Sequence, residues 1–438
     1  MNKLEIIQVL EDWNFWKNDW EEGIKRPFYL DRMVKYVKTG QVLVITGVRR
    51  SGKSFLMKQL ASEIVAAGEA KKNILFVNFE DPRWLKRDHK LLDKILDVYK
   101  EYMLPGSKPY LFLDEIQEVD GWEKWVRTLH ELGKATIVIS GSNAKLLGKE
   151  LGTVLTGRHI DTLVYPLSFE EYLLFKKIKT NLADSAEIKG HLKEYLAKGS
   201  FPALAFLNDG IREWFLAYYD DVLEKDLVKR YRIRKTEELK ALLNLYMSNI
   251  SKPMTFHAAA KFLKISPDTV EKFAGYFEQA YLLFLIKRFS LGQKEQYKSP
   301  RKVYSVDTVL SGAVGFRMSE DYGRGAENVV YLEFLRRASV GHNREIFYWR
   351  DEFAGREGKE VDFVIKEGNR IVEIVQVCMG IFEGETRKRE LSAIEKAVLR
   401  LKPEKIKIIT EELEGAEKYG FGEVEYVPLW KWLLEKNS

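Results

Sequence analysis

Eight consecutive residues bring together glycines, a lysine and a hydroxyl in the pattern that holds a triphosphate. Gly47-Val48-Arg49-Arg50-Ser51-Gly52-Lys53-Ser54 fits G-x-x-x-x-G-K-S, with the apolar run Val42–Thr46 before it and a helical stretch, Ser51–Ala67, after it. Glycines let successive backbone N–H groups turn inward around phosphate oxygens, and the helix N-terminus adds its positive end. Gly47, Arg49, Arg50, Ser51, Gly52, Lys53, Ser54 and Phe55 are the expected nucleotide-binding set. Within it, Lys53 is expected to reach the β- and γ-phosphates of ATP and the Ser54 hydroxyl to bind Mg²⁺.

A second element supplies acid. In Tyr110-Leu111-Phe112-Leu113-Asp114-Glu115, four apolar residues bury a strand and two carboxylates end it. Asp114 is expected to hold Mg²⁺ through a water, and Glu115 to polarise the attacking water. Binding without hydrolysis is the alternative. Three further residues have candidate roles. Asn78 could hold Glu115 in check, or cap a loop. A polar side chain of Ser140-Gly141-Ser142-Asn143, Ser142 being favoured, could contact the γ-phosphate or the water, or Ser142 could cap the helix after it. Arg158, in Thr156-Gly157-Arg158-His159, could be an arginine finger for a neighbouring subunit's site, or make a surface pair.

These residues must be positioned by strands and helices, and the first 165 residues alternate the two. Strands are predicted at Val42–Thr46, Ile74–Phe79, Tyr110–Asp114 and Thr136–Ser140, which reads as α/β with a parallel sheet. From Pro166 to about Phe289 the apolar period is that of helices. Within this part, His257–Leu263, a turn at Lys264-Ile265, and Pro267–Gln279 behind a Ser266 cap have the form of a winged helix, with Tyr281–Phe289 as its strand. The polar stretch Gly292–Arg301 is a linker candidate. Strands return at Lys302–Val306, Glu345–Trp349, Val361–Ile365, Arg370–Val377 and Lys405–Ile409, with helices Ala326–Ala338 and Thr386–Leu401 among them. Three domains are thus expected: 1–165, 166–291 and 292–438.

Composition sets bounds. The chain has 438 residues and one cysteine, Cys378, which excludes an internal disulfide framework and a thiolate zinc site. Its longest apolar runs, such as Ala280 to Ile286, are far short of a membrane span, and its first residues lack a signal-peptide core, so a cytoplasmic location is expected. A net charge of +6 over this length permits contact with nucleic acid without arguing for it.

Beyond spacing, four strings carry a resemblance: the glycine-rich loop, Leu113-Asp114-Glu115-Ile116-Gln117, Gly141-Ser142-Asn143, and Tyr165-Pro166-Leu167-Ser168-Phe169-Glu170-Glu171-Tyr172. Together they resemble the AAA+ P-loop ATPases of the archaeal type, which end in a domain similar to the restriction-endonuclease fold. The resemblance covers essentially the whole chain. It implies an AAA+ core, a helical lid containing a winged helix, assembly into homo-oligomers, and a role near DNA. Gly199-Ser200-Phe201-Pro202 resembles the family's Gly-x-x-Pro lid element.

In the C-terminal part the resemblance implies a metal site built from a helix glutamate, Glu327, an acid on a strand, Asp362, and Glu-x-Lys on the next strand. That last element aligns with Gln376-Val377-Cys378, which has neither the acid nor the lysine. Strand parity puts Glu373 on the opposite face, so it cannot substitute without a bulge or register shift. A degenerate domain that does not cut DNA is therefore expected. Lys298, Arg301, Lys302, Arg324, Arg336, Arg337, Arg387, Lys388 and Arg389 are expected to form a positive surface for duplex phosphates, or else a solvated face with matching acids. The favoured function is a Mg²⁺-dependent, oligomeric ATPase that handles DNA. A signalling switch with protein partners is the second class, and an active nuclease the third.

Overall fold

A computed structural model describes residues 1–142, 155, 157–180, 185–315, 322–339, 344–351, 358–380 and 383–435. Asn143 and Thr156 of the strings above lie outside this set. The chain forms two compact units, Met1–Tyr165 and Pro166–Ser438.

The first unit is built on five strands: β1 (Val42–Gly47), β2 (Ile74–Asn78), β3 (Tyr110–Asp114), β4 (Thr136–Gly141) and β5 (His159–Val164). All pair in parallel, in the order β2-β3-β4-β1-β5. The strands are apolar nearly throughout because both faces are covered. Val42, Val44, Leu111, Leu113, Ile137 and Ile139 point to one face, packed by helices Lys3–Trp13, His89–Met103 and Trp122–Glu131. Leu43, Ile45, Phe112 and Val138 point to the other, against helices Pro27–Val37 and Lys53–Ala66. A parallel sheet brings every strand's C-terminal end to one edge, where ligands of such sheets bind. Strand β5 was not anticipated. His159-Ile160-Asp161-Thr162-Leu163-Val164 is an edge strand with only Thr162 and Val164 buried, so it lacks the apolar run that marks β1 to β4.

The second unit begins with helices Phe169–Phe175, Ser185–Lys198, Ile211–Asp221 and Thr236–Ser248. The third continues over Val222–Lys229 with wider i→i+5 turns, a local form that needs tertiary support. Then follow β6 (Pro253–Met254), helices Phe256–Leu263 and Pro267–Gln279, β7 (Leu283–Arg288) and β8 (Arg301–Ser305). Local chemistry sets this segment: Lys264 turns through a φ of 56°, and the Ser266 hydroxyl accepts the Thr269 N–H at 3.2 Å ahead of Pro267. β9 (Arg344–Arg350), β10 (Glu360–Glu367), β11 (Arg370–Cys378), β12 (Lys405–Thr410), β13 (Gly415–Tyr419) and β14 (Gly422–Pro428) complete the unit's strands among the described residues.

These nine strands form one mixed sheet, β13-β14-β12-β11-β10-β9-β7-β8-β6. Its halves meet where β7 runs beside β9, at Lys287 opposite Phe347 and Arg288 opposite Tyr348. Gly292–Arg301 therefore connects the antiparallel β7 and β8 and carries a short helix, Gln293–Lys298, instead of linking separate units. The expected division at 291 falls inside this hairpin.

Candidate active site

The glycine-rich loop leaves the C-terminal end of β1 with the backbone its sequence demands. Gly47 has φ 135°, and a Cβ there would lie 2.1 Å from the Val164 carbonyl oxygen, so only glycine fits. Arg50 (φ 62°) and Gly52 (φ 95°) complete the turn, and the Ser51 N–H donates to the Val48 carbonyl at 3.2 Å. Helix Lys53–Ala66 starts directly behind, its first N–H groups facing the loop.

Lys53 is 5% exposed, and its ammonium donates to the Gly47 and Val48 carbonyls at 3.2 and 3.1 Å. Glu115 Oε1 lies 3.9 Å away. The Ser54 hydroxyl donates to Asp114 Oδ2 at 2.6 Å, tying the loop to the tip of β3. Asp114 is fully buried, and burial, then the charge of Glu115, lifts its pKa to about 6 against the pull of Ser140, Ser54 and Lys53. Mg²⁺ keeps several waters and takes one or two carboxylates plus phosphate oxygens. Ser54 and Asp114, 2.6 Å apart at the loop's mouth, fit that donor set. Among the described residues there is no group of three or more His, Cys, Asp or Glu poised for a metal ion.

Sequence reasoning favoured Ser142 over Ser140 and gave no separate role to Gln117 or Arg26. Ser140, at the end of β4, donates its hydroxyl to Asp114 Oδ1 and accepts the Glu115 N–H at 3.1 Å. A lone hydroxyl closing Ile137-Val138-Ile139 was the available signal. Gln117 donates its amide to Glu115 Oε2, in a turn where Glu115 has φ 53°. Arg26, 3% exposed, donates to the Ser51 carbonyl at 2.7 Å and to the Tyr165 carbonyl at 3.0 Å. Nothing in its sequence neighbourhood marked it.

The other expected site residues spread out. Asn78 sits opposite Asp114 in register, but its Oδ1 accepts the Glu80 N–H at 2.8 Å, which is the loop-capping geometry; Gln117 is what holds Glu115. Ser142 is buried one residue past β4, while Ser140 makes the contacts to the acid pair. Arg49 pairs with Glu80 at 3.0 Å. Phe55 is 43% exposed beside Gly23 and Lys58. Arg158 precedes β5 beside the start of β1, since Val42 pairs with His159 and Gly47 with Val164. Five strand residues, roughly 16 Å, separate it from its own loop. It is half-exposed and paired with Glu131.

In the second unit the cations expected on a positive surface divide between buried residues and surface residues with matching acids. Lys302 is 1% and Arg336 2% exposed. Arg336 donates to the Pro166 and Leu167 carbonyls, Arg337 pairs with Glu333, Arg387 with Glu417, Lys388 with Glu385 and Arg389 with Glu390. Lys298 stays exposed, with Lys294 and Tyr297, on the β7–β8 connection. Glu327 and Asp362 both meet Lys302, and Gln376 accepts the Asp362 N–H at 3.1 Å. No helix among the described residues is long and apolar enough to cross a membrane.

Comparison with known proteins follows these lines. Residues 39–173 match the AAA domain family, and residues 189–320 match a domain of unknown function. An uncharacterized protein of Haemophilus influenzae is 29% identical, covering 94% of this chain and 99% of its own length. An uncharacterized protein of Methanocaldococcus jannaschii is 35% identical, covering 90% of this chain and 88% of its own length. Among solved structures, AMPPCP-bound DnaA from Aquifex aeolicus aligns with a TM-score of 0.27 and 16% identity, over 62% of this chain and 92% of that one. PCH-2 of C. elegans aligns with a TM-score of 0.27 and 14% identity, over 60% and 70%. With its AAA domain placed around the β1–β3 edge just described, the chain belongs to the same family as the Methanocaldococcus jannaschii protein.

Proposed function

We propose that the protein is a Mg²⁺-dependent ATPase that works as a homo-oligomer. The observation carrying this reading is the hydrogen-bonded run Ser54–Asp114–Ser140–Glu115, which sets a metal-binding hydroxyl, a carboxylate and a water-orienting acid beside the Lys53 ammonium. Bound Mg²⁺ would bridge phosphate oxygens and neutralise developing charge. Ser54 and Asp114 are the residues to hold it. Lys53, now on the Gly47 and Val48 carbonyls, has the length and charge to exchange them for phosphate oxygens. Glu115 accepts the proton of an attacking water once its Gln117 contact loosens.

Arg158 lies at the end of β1 opposite its own loop, so as an arginine finger it acts on a neighbour's nucleotide. Glu115→Gln should lower ATP turnover by about 10³-fold while ATP still binds. Arg158→Ala should do likewise, and mixing the two variants should restore turnover above either alone. Equal turnover of Glu115→Gln and wild type would end this reading.

DNA is the proposed target, supported by the exposed Lys294, Tyr297 and Lys298 beside a winged-helix-like segment. Lys294→Glu/Lys298→Glu should weaken salt-sensitive binding of duplex in a filter assay. A protein partner is the second reading, favoured by the internal pairing of the other cations and by exposed Asp268 and Glu271 on helix Pro267–Gln279. Pull-downs that survive DNase treatment and respond to ATP against ADP select it.

A further inference from the structure

The acids expected to hold a metal in the second unit meet a different cation. Lys302, on β8 and 1% exposed, directs its ammonium at Glu327 Oε1 at 2.7 Å, Glu360 Oε1 at 2.9 Å and Asp362 Oδ1 at 2.8 Å. The three acids come from helix Tyr322–Ala338 and from β10. An ammonium has three N–H donors, and here each meets one carboxylate at charge-assisted hydrogen-bond distance.

Further contacts hold Glu327 and Asp362 in place. Tyr304 donates its hydroxyl to Glu327 Oε1 at 2.7 Å. Asp362 Oδ2 accepts the Val377 N–H at 3.0 Å, and the Asp362 N–H donates to Gln376 Oε1 at 3.1 Å. Gln376 in turn donates to Glu390 Oε2 at 2.8 Å. Glu373, the acid nearest in sequence to the missing ligand, faces Lys407 on the other side of the sheet at 3.8 Å.

A divalent ion needs oxygens converging on a point about 2.0–2.6 Å from each. That point is taken by a nitrogen anchored on its own strand. The residues therefore do not fit a metal centre, and no cleavage chemistry follows from them. Burial pulls the Lys302 pKa down, but Asp362, Glu327 and Glu360 outweigh it and raise it well above the ordinary value.

We infer that the Lys302 ammonium takes the place a divalent cation would hold, and that Lys302 alone bars Mg²⁺ or Mn²⁺ from Glu327, Glu360 and Asp362. This goes beyond the ATP site, which lies in the other unit. An ordinary structural ion pair makes a different prediction, because removing its lysine gives metal no special effect. The test uses the nucleotide-free full chain. Melting of Lys302→Ala should rise on the order of 3 °C or more with millimolar Mn²⁺, and that rise should vanish in Lys302→Ala/Asp362→Asn. A folded Lys302→Ala protein whose melting ignores Mn²⁺ overturns the inference. If Lys302→Ala does not fold, calorimetric titration of Mn²⁺ into wild type and Asp362→Asn decides. The two isotherms should match, and a wild-type site lost in Asp362→Asn overturns it.

Discussion

Each unit of this molecule holds a buried lysine facing carboxylates, and the two lysines are spent differently. Lys53 rests on two backbone carbonyls and stands 3.9 Å from Glu115, with Asp114 held by neutral hydroxyls. Lys302 is enclosed by three carboxylates at 2.7 to 2.9 Å. Weak neutral partners can be exchanged for a charged ligand at little cost, whereas a network of buried charges cannot lose one member cheaply. The first lysine can exchange its partners. The second is part of the architecture.

The same substitution at both positions sharpens this contrast. Lys53→Met should reduce ATP turnover by at least about 10³-fold and change stability by only about 1 kcal/mol. Lys302→Met should cost about 3–5 kcal/mol in denaturant unfolding, because three acids lose their shared cation. A Lys302→Met protein as stable as wild type, or a Lys53→Met protein that hydrolyses normally, would erase the distinction.

A smaller effect is expected at Ser140. Ser140→Ala leaves the Asp114 Oδ1 and the Glu115 N–H without their shared partner, so turnover should fall about tenfold, with a loss of about 1–2 kcal/mol. Normal turnover would make Ser140 a packing residue. The smallest effect concerns pH. Asp114, buried and beside Glu115, has its pKa raised to about 6. Its contribution to nucleotide-free stability is complete below the unfolded value of about 4 and is lost as pH rises through 6. Asp114→Asn should flatten that part of the stability–pH curve, and an unchanged curve would assign the slope elsewhere.

How much of this could be read beforehand depended on what kind of force did the positioning. The strands β1 to β4 and the Gly47–Ser54 turn were legible because apolar runs and obligatory glycines leave local marks. So was the helix behind Ser266 and Pro267, whose cap is made by neighbours in sequence. The hairpin of β13 and β14 was missed. Ala416, Glu417, Glu423 and Glu425 face solvent there, and two-residue alternation is faint where one strand is exposed throughout. The Lys302 cluster was half legible: Glu327 and Asp362 were expected to meet, but nothing marked Lys302 as their partner. Its lysine is separated from Glu327 and Asp362 by long stretches of chain, and composition cannot tell a buried cation from a surface one. Arg336 misled in the same way, since two backbone carbonyls and Glu333 are what make its burial tolerable. At the candidate active site, the acids were legible and their supports were not. Ser140 and Gln117 are ordinary residues until the strand ends converge.

Arg26 has one more consequence. One fork of its guanidinium grips the Ser51 carbonyl inside the glycine-rich turn, and the other grips the Tyr165 carbonyl, the last residue of the first unit. A rigid planar group with both ends engaged behaves as a tie rod. The turn at Ser51 and the last peptide of the first unit are thereby held by one side chain, so a shift in either is felt by the other.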